Sequence, residues 1–495
     1  MIRRLLLALP LLGLLGCGSA DPEPGAPAAD AGAPDARVAT TLAEHASITE
    51  VSAFQTVKIP LLSEVEGALD PAVPVVNNKA FLLRVYVKRD TAVSALSLVA
   101  RLRLVLPDGQ ERSFTQQKVL KGRSSDGQPS STFGFELPAE LARPGITWDV
   151  EISPSGPLSE AFPGTLRTES APLPVAPSIP TLRVKLVPVR YEAGGTTSEP
   201  DTTEEQLTLY RDTLFRLYPT SRIEVSWGEP LLWTEKIAAN GDGWDSLLGT
   251  VADLRYKGLR VTDDTFVVGV VAPGRSIDDY CRRGCVLGLA PVARERDVGL
   301  RAATIVGFSG EQATDTLAHE LGHALGRLHA NCGGASGIDK QFPYSEGGIH
   351  SWGYDVVTRK LIDPAAHSDF MGYCSPVWVS DYTYKALFER LTFVARTTKS
   401  SPNTPISLTP DAQVLRVRSD GSVEPAPSFR WASSITGDPV SVPVLGGAAA
   451  EGRFVKFDHA GRGRASGKGW LVVPPGLPVA RIDAPALGRM LAQRP

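Results

Sequence analysis

His319-Glu320-Leu321-Gly322-His323-Ala324-Leu325-Gly326-Arg327-Leu328-His329 reads H-E-x-x-H-x-x-G-x-x-H. Residues four apart on an α-helix stack on one face, so His319 and His323 can aim two imidazoles at one ion. Glu320 is too close in sequence to His319 to ligate beside it. It reaches instead a water on the metal and takes its proton. An unbroken helix would rotate a third ligand away. Gly326 takes positive φ at little steric cost and ends the helix, which brings His329 to the ion from below. Three histidines leave a fourth position for water, the pattern of a catalytic rather than a structural zinc site. Bound zinc lowers the pKa of that water to about 7. Residues 314–325 also look helical independently, since Leu317, Ala318, Leu321, Ala324 and Leu325 form an apolar stripe without proline. The competing reading is a buried helix that happens to carry histidines, and the added glycine and third histidine weigh against it.

These residues resemble the metzincin clan of zinc endopeptidases, whose extended motif has this form. The resemblance spans roughly residues 181 to 396. It implies a twisted mixed sheet with a zinc-binding helix, Zn2+ on His319, His323 and His329, and Glu320 as general base. It also implies a Met-turn, for which Asp369-Phe370-Met371-Gly372-Tyr373-Cys374 fits, with Met371 beneath the imidazoles. Ordinary core packing is the alternative for Met371. By the same resemblance Tyr373 donates to the zinc site or to the oxyanion; a wall position in the cleft is its alternative. Clan branches with that tyrosine usually carry serine two residues before the methionine, where this chain has Asp369. By analogy, residues 286–293 form an edge strand that pairs with an extended peptide, the alternative being an interior strand.

Met1-Ile2-Arg3-Arg4 followed by an apolar run to Leu15 reads as a targeting segment, too short to span a bilayer comfortably. Leu14-Leu15-Gly16-Cys17 resembles a bacterial lipobox, with Cys17 the lipidated residue; a plain secretory signal cut near Ala20 is the alternative. Setting Cys17 aside leaves Cys281, Cys285, Cys332 and Cys374. In an exported chain an even count suggests disulfides, and four cysteines allow three pairings. If His329 and the Met-turn converge below the zinc as the resemblance implies, Cys332 pairs with Cys374 and Cys281 with Cys285. A second metal site at Cys281 is the competing reading, with no histidine near it.

The chain has 495 residues, enough for about three domains. Hydrophobic content of 42% and charged content of 21% are those of an ordinary globular protein, and a net charge of −3 gives no basic footprint for nucleic acid. The fold class expected is α+β, a metzincin-like catalytic domain flanked by β-rich domains. The divisions are 1–17, lipoprotein signal; 18–50, flexible Ala/Pro/Gly/Asp tether; 51–175, β-sandwich-like domain; 178–398, zinc protease domain; and 400–495, small β-rich domain. In the first of these β regions Phe81, Leu83, Val85 and Val87 alternate with other residues, as do Leu98, Ala100, Leu102, Leu104 and Leu106, before Pro107-Asp108-Gly109 turns the chain. This domain can be a spacer, a substrate-binding module or a propeptide. The stretch 172–180 reads as a proline-rich linker. Strands are expected at 182–189, 223–227, 266–271 and 303–308, with a helix after Thr202-Thr203-Glu204-Glu205, a capping box. The stretch between His329 and Met371 should be irregular and form one wall of the cleft, with His350 and His367 in it as accessory ligands, substrate contacts or plain surface groups. His45 and His459 carry no constellation.

The function expected is a zinc-dependent endopeptidase acting on extracellular protein or glycoprotein substrates. It would be held to the bacterial cell envelope through the N-terminal lipid anchor, or secreted. The alternatives are a surface-binding lipoprotein with a vestigial fold of this type and a zinc amidase acting on non-protein amides. No cysteine of the N-terminal domain is available as a thiol latch, although an aspartate or a backbone segment can still cover the cleft.

Overall fold

Thr265–Val271 is buried at every position, as a parallel strand covered on both faces must be. Around it the computed structural model describes residues 41–90, 95–156, 162–398, 413–418, 420–426, 437–461 and 467–492. Residues 1–40, which hold the expected signal segment, Cys17 and most of the expected tether, lie outside the described residues. Thr265–Val271 lies between Thr181–Ala193 and Ala302–Val306, both parallel to it, and Arg222–Trp227 extends the parallel set beyond Thr181–Ala193. Gly288–Pro291 then runs antiparallel to Ala302–Val306. The helix Glu204–Leu217 begins at Thr203, whose hydroxyl accepts from the Gln206 amide, and it packs on the motif helix Glu311–Ala324. The architecture is α+β, mostly strand with few helices.

The N-terminal module is two antiparallel sheets. One contains Ala46–Ser63, Phe81–Arg89 and Phe133–Leu137; the other contains Glu111–Leu120, Leu96–Val105 and Thr147–Pro154. Buried and partly exposed positions alternate along Leu96–Val105, which is the period-two pattern of a half-buried strand.

Three expectations need correction here. The tether expected over 18–50 ends sooner, because Leu42–His45 is helical and Ala46–Ser63 is a long strand whose 51–57 stretch is buried. The apolar run from Val51 conceals a strand start among the polar residues before it. The stretch 172–180 is not a free linker. The Leu173 amide donates to Ile146 O and the Ala176 amide to Val75 O, at 2.8 Å each, so the stretch is fastened to the module. Lastly, residues 353–362 are not irregular. Gly353–Asp355 pairs with Ala46–Ser63 and with Lys360–Ile362, adding two strands to the N-terminal sheet.

That seam is reinforced by polar contacts. Trp378 Nε1 donates to Thr56 O at 2.9 Å, and Thr56 Oγ1 donates to Arg216 O at 2.8 Å. Lys79, fully buried, donates to Phe215 O and Tyr218 O at the end of the helix Glu204–Leu217, satisfying carbonyls that a helix C-terminus leaves open. One continuous apolar core runs from Val51 and Leu83 through to Leu317 and Met371.

At the other end, Ala450–Asp458, Gly467–Val473 and Gln413–Arg418 form an antiparallel sheet. It joins the central sheet through Gly288–Pro291, with Ala290 opposite Asp458 and Pro291 opposite Phe457. The strand expected as a free edge is therefore interior. Its open side is occupied by the chain's own C-terminal module.

Candidate metal centre

The helix Glu311–Ala324 is buried from Thr316 onward. It ends in a Schellman turn, with the Gly326 amide donating to His323 O and the Arg327 amide to Gly322 O. Gly326 has φ +84, and a Cβ there would lie 2.5 Å from Arg390 Nη2 and 2.9 Å from Ala293 O, so glycine is required at this turn. The chain then reverses and returns His329 towards His319 and His323.

Their three Nε2 atoms lie 3.0, 3.1 and 3.1 Å apart. Each Nδ1 donates to a backbone carbonyl: His319 to Phe370 O at 2.7 Å, His323 to Arg327 O at 2.7 Å and His329 to Ser336 O at 2.5 Å. A neutral imidazole carries one proton, and these contacts assign it to Nδ1 in all three rings. The three Nε2 atoms then present lone pairs to one point with no proton between them. That is repulsive unless a cation sits there. Tetrahedral zinc–imidazole bonds would set the nitrogens about 3.3 Å apart, close to the observed triangle. Burial pushes His319 and His323 well below the usual imidazole value and His329 down to about 4, favouring the neutral, ligating form. The residues present fit a divalent ion on donor chemistry. Among the described residues, this is the one such cluster.

Glu320 is fully buried on the next helix position. Burial raises its carboxyl well above the usual range, opposed by a hydrogen bond from the Ala460 amide. Its Oε1 accepts that amide at 2.6 Å, while Oε2 has no hydrogen-bond partner among the described residues.

The turn after Asp369 lies against the helix. Met371 Sδ occupies the space where a Cβ on Gly322 would overlap it, so the small residue inside the motif makes room for the methionine. Phe370 supplies the carbonyl that orients His319. Asp369, where the branches resembled carry serine, is buried and organises the turn. Its Oδ1 accepts from the Met371 amide at 2.9 Å, and its Oδ2 from the Ser380 amide at 2.9 Å and from Ser380 Oγ. Ser380 in turn caps the helix Asp381–Thr397. Asp369→Ala should therefore leave buried donors unsatisfied and cost about 2–3 kcal/mol. The denaturant midpoint of the purified variant reads this directly.

Cys332 is bonded to Cys374 and Cys281 to Cys285. The first bridge ties the segment after His329 to the turn, alongside the Ala330 amide on Met371 O and the Tyr373 amide on Cys332 O. Tyr373 stands with its ring 5.0 Å from that of His329 and 5.8 Å from that of His319. Its hydroxyl donates to His459 O. His350 stacks on Tyr344 and His367 bonds Asp363 O; neither joins the triad.

His459, which the sequence left without a role, is at the centre. Its carbonyl oxygen lies 3.2 Å from His329 Nε2. Asp458 beside it is buried, with a carboxyl raised by burial to about 6. Nothing in the spacing announces these residues, because 130 positions separate His459 from His329. The only local cue is that an Asp-His pair follows the strand-like run Phe454-Val455-Lys456-Phe457.

No curated protein sequence matches the chain. Among solved structures, a calcium-binding mutant of Bacteroides uniformis beta-glucuronidase 2 is similar at 10% identity, covering 48% of this chain and 26% of that one, with a TM-score of 0.16. A Bacteroides uniformis beta-glucuronidase is similar at 11% identity over 46% of this chain and 28% of that one, also at 0.16. The chain thus spans about a quarter of each of those proteins, and likeness at that score says nothing of fold or function. A family model, Peptidase M66, matches residues 296–403, the stretch that holds the triad, Glu320 and the turn around Met371, and this match supports a metallopeptidase.

Proposed function

We propose that the chain is a zinc-dependent endopeptidase of metzincin type that hydrolyses peptide bonds of extracellular proteins, with Glu320 as general base. The observation that carries this reading is the triangle of three buried Nε2 lone pairs beside a buried carboxylate with one free oxygen. It lies within the segment that matches a peptidase model. A zinc ion held by His319, His323 and His329 would supply Lewis acidity at the scissile carbonyl and lower the pKa of water at its open position to about 7.

The remaining steps belong to the chain's own groups. Glu320 Oε2 faces the attacking water and takes its proton, and the same carboxyl then delivers a proton to the leaving nitrogen. Tyr373 is a positioning donor: its hydroxyl already points at a carbonyl oxygen in the cleft, the place where negative charge develops. Met371 and Asp369 support the ring set from below. The reading of residues 1–17 as a lipoprotein signal supports an envelope or secreted location, where the two disulfides are stable.

Elemental analysis of purified protein should find one zinc per chain. A chelator should abolish cleavage of a proteome-derived peptide library, and added zinc should restore it. Folded protein without stoichiometric transition metal removes the basis of this reading.

A further inference from the structure

Residues 456–460 lie along residues 287–292 as an antiparallel strand. Besides the Ala290–Asp458 and Pro291–Phe457 pairs, the Leu287 amide donates to Ala460 O at 2.9 Å and the Val292 amide to Lys456 O at 3.0 Å. Main-chain pairing of this kind captures an extended peptide whatever its side chains. The captured segment is buried: Asp458, His459 and Ala460 are 3%, 7% and 6% exposed. Gly461 follows, with φ +98 and a Cβ position that would overlap Cys285 O.

One peptide bond in this segment has both ends at the reacting groups. The His459 carbonyl oxygen accepts from Tyr373 Oη and lies 3.2 Å from His329 Nε2, at the mouth of the triad. The Ala460 nitrogen donates to Glu320 Oε1 at 2.6 Å. A scissile carbonyl belongs at the polarising centre and its leaving nitrogen at the carboxyl that returns the proton. The bond between His459 and Ala460 meets both conditions at once.

We propose that the chain is its own substrate, with the His459–Ala460 bond hydrolysed in cis at the Glu320 site. This rests on the peptidase reading above. Water is the only co-reactant. Its oxygen bonds to the His459 carbonyl carbon, and one of its protons passes through Glu320 to the Ala460 nitrogen. The C–N bond then breaks, leaving a carboxylate on His459 and a new amino terminus on Ala460. The fragment from Ala460 keeps Gly467–Val473, which pairs with Gln413–Arg418 and with Ala450–Asp458. The nicked chain therefore stays assembled until denatured. Before the cut the segment excludes other peptides from the cleft.

Zinc-loaded protein, incubated and then denatured, should yield a fragment whose amino-terminal sequence begins at Ala460. Its rate of appearance should not depend on protein concentration. Glu320→Gln should slow the cut at least about 100-fold. Gly461→Val, which cannot seat the segment, should also be cut more slowly at this bond but should cleave added peptides faster. A second readout needs no turnover: in metal-free Glu320→Gln protein the amides of residues 287 and 292 should be protected from hydrogen exchange, and Gly461→Val in that background should remove the protection. An intact chain that nonetheless cleaves added peptides overturns self-cleavage and leaves the peptidase reading standing. Loss of both activities in zinc-loaded protein overturns both. Cleavage at Ala460 that persists in Glu320→Gln assigns the cut to another enzyme and also overturns the proposal.

Discussion

Glu320→Gln is expected to lower turnover of peptide substrates by about 10²–10⁴-fold, the usual contribution of a positioned general base. That corresponds to about 3–5 kcal/mol of barrier. The substitution is nearly isosteric and retains a carbonyl oxygen to accept the Ala460 amide, so the helix and its neighbours have no reason to move. None of the three imidazoles depends on Glu320, because each is oriented by a backbone carbonyl. Zinc content should therefore match wild type while kcat collapses. Steady-state rates and metal stoichiometry on the same preparation make the test. A variant that keeps both metal and wild-type kcat would show that the carboxylate takes no part in proton transfer.

The second large effect is on stability. Cys332 and Cys374 are 42 positions apart, and closing a loop of that length restricts the unfolded chain by roughly 4 kcal/mol in the chain-entropy account. Cys281 and Cys285 are separated by 4, which predicts only about 2 kcal/mol. The double change Cys332→Ser with Cys374→Ser should thus lower the denaturation midpoint more than Cys281→Ser with Cys285→Ser does. It should also weaken metal retention, since the long bridge fastens the segment after His329 to the turn around Met371. Equal midpoints for the two double variants would contradict the argument from loop length. Unchanged metal retention would mean that the backbone bonds at Ala330 and Tyr373 hold the third ligand without the bridge.

The motif was legible because its information is local. A four-residue helical repeat and one glycine bring His319, His323 and His329 together without reference to the rest of the chain. The buried strands Thr265–Val271 and Ala302–Val306 were legible for the same reason, as short uninterrupted apolar runs. What the sequence hid was partnership across long separations. Residues 286–293 could be recognised as a strand, but not that residues 456–460 would lie beside it. Glu320 could be assigned a water, but not the amide of a residue 140 positions away. Gly353–Asp355 is too short, and too rich in residues that also suit loops, to declare itself a strand. Its pairing with Thr56 and Val57 on one side and with Lys360–Ile362 on the other makes it one.

That small pairing has a wider meaning. The strands Gly353–Asp355 and Lys360–Ile362 are encoded between the third histidine and the methionine, yet they finish a sheet begun some three hundred residues earlier. Neither half can be exchanged for a foreign counterpart by recombination at residue 175 without stripping edge strands from the recipient. The amino-terminal part is therefore built into the same body as the triad, because its sheet is completed by residues from the far side of the motif.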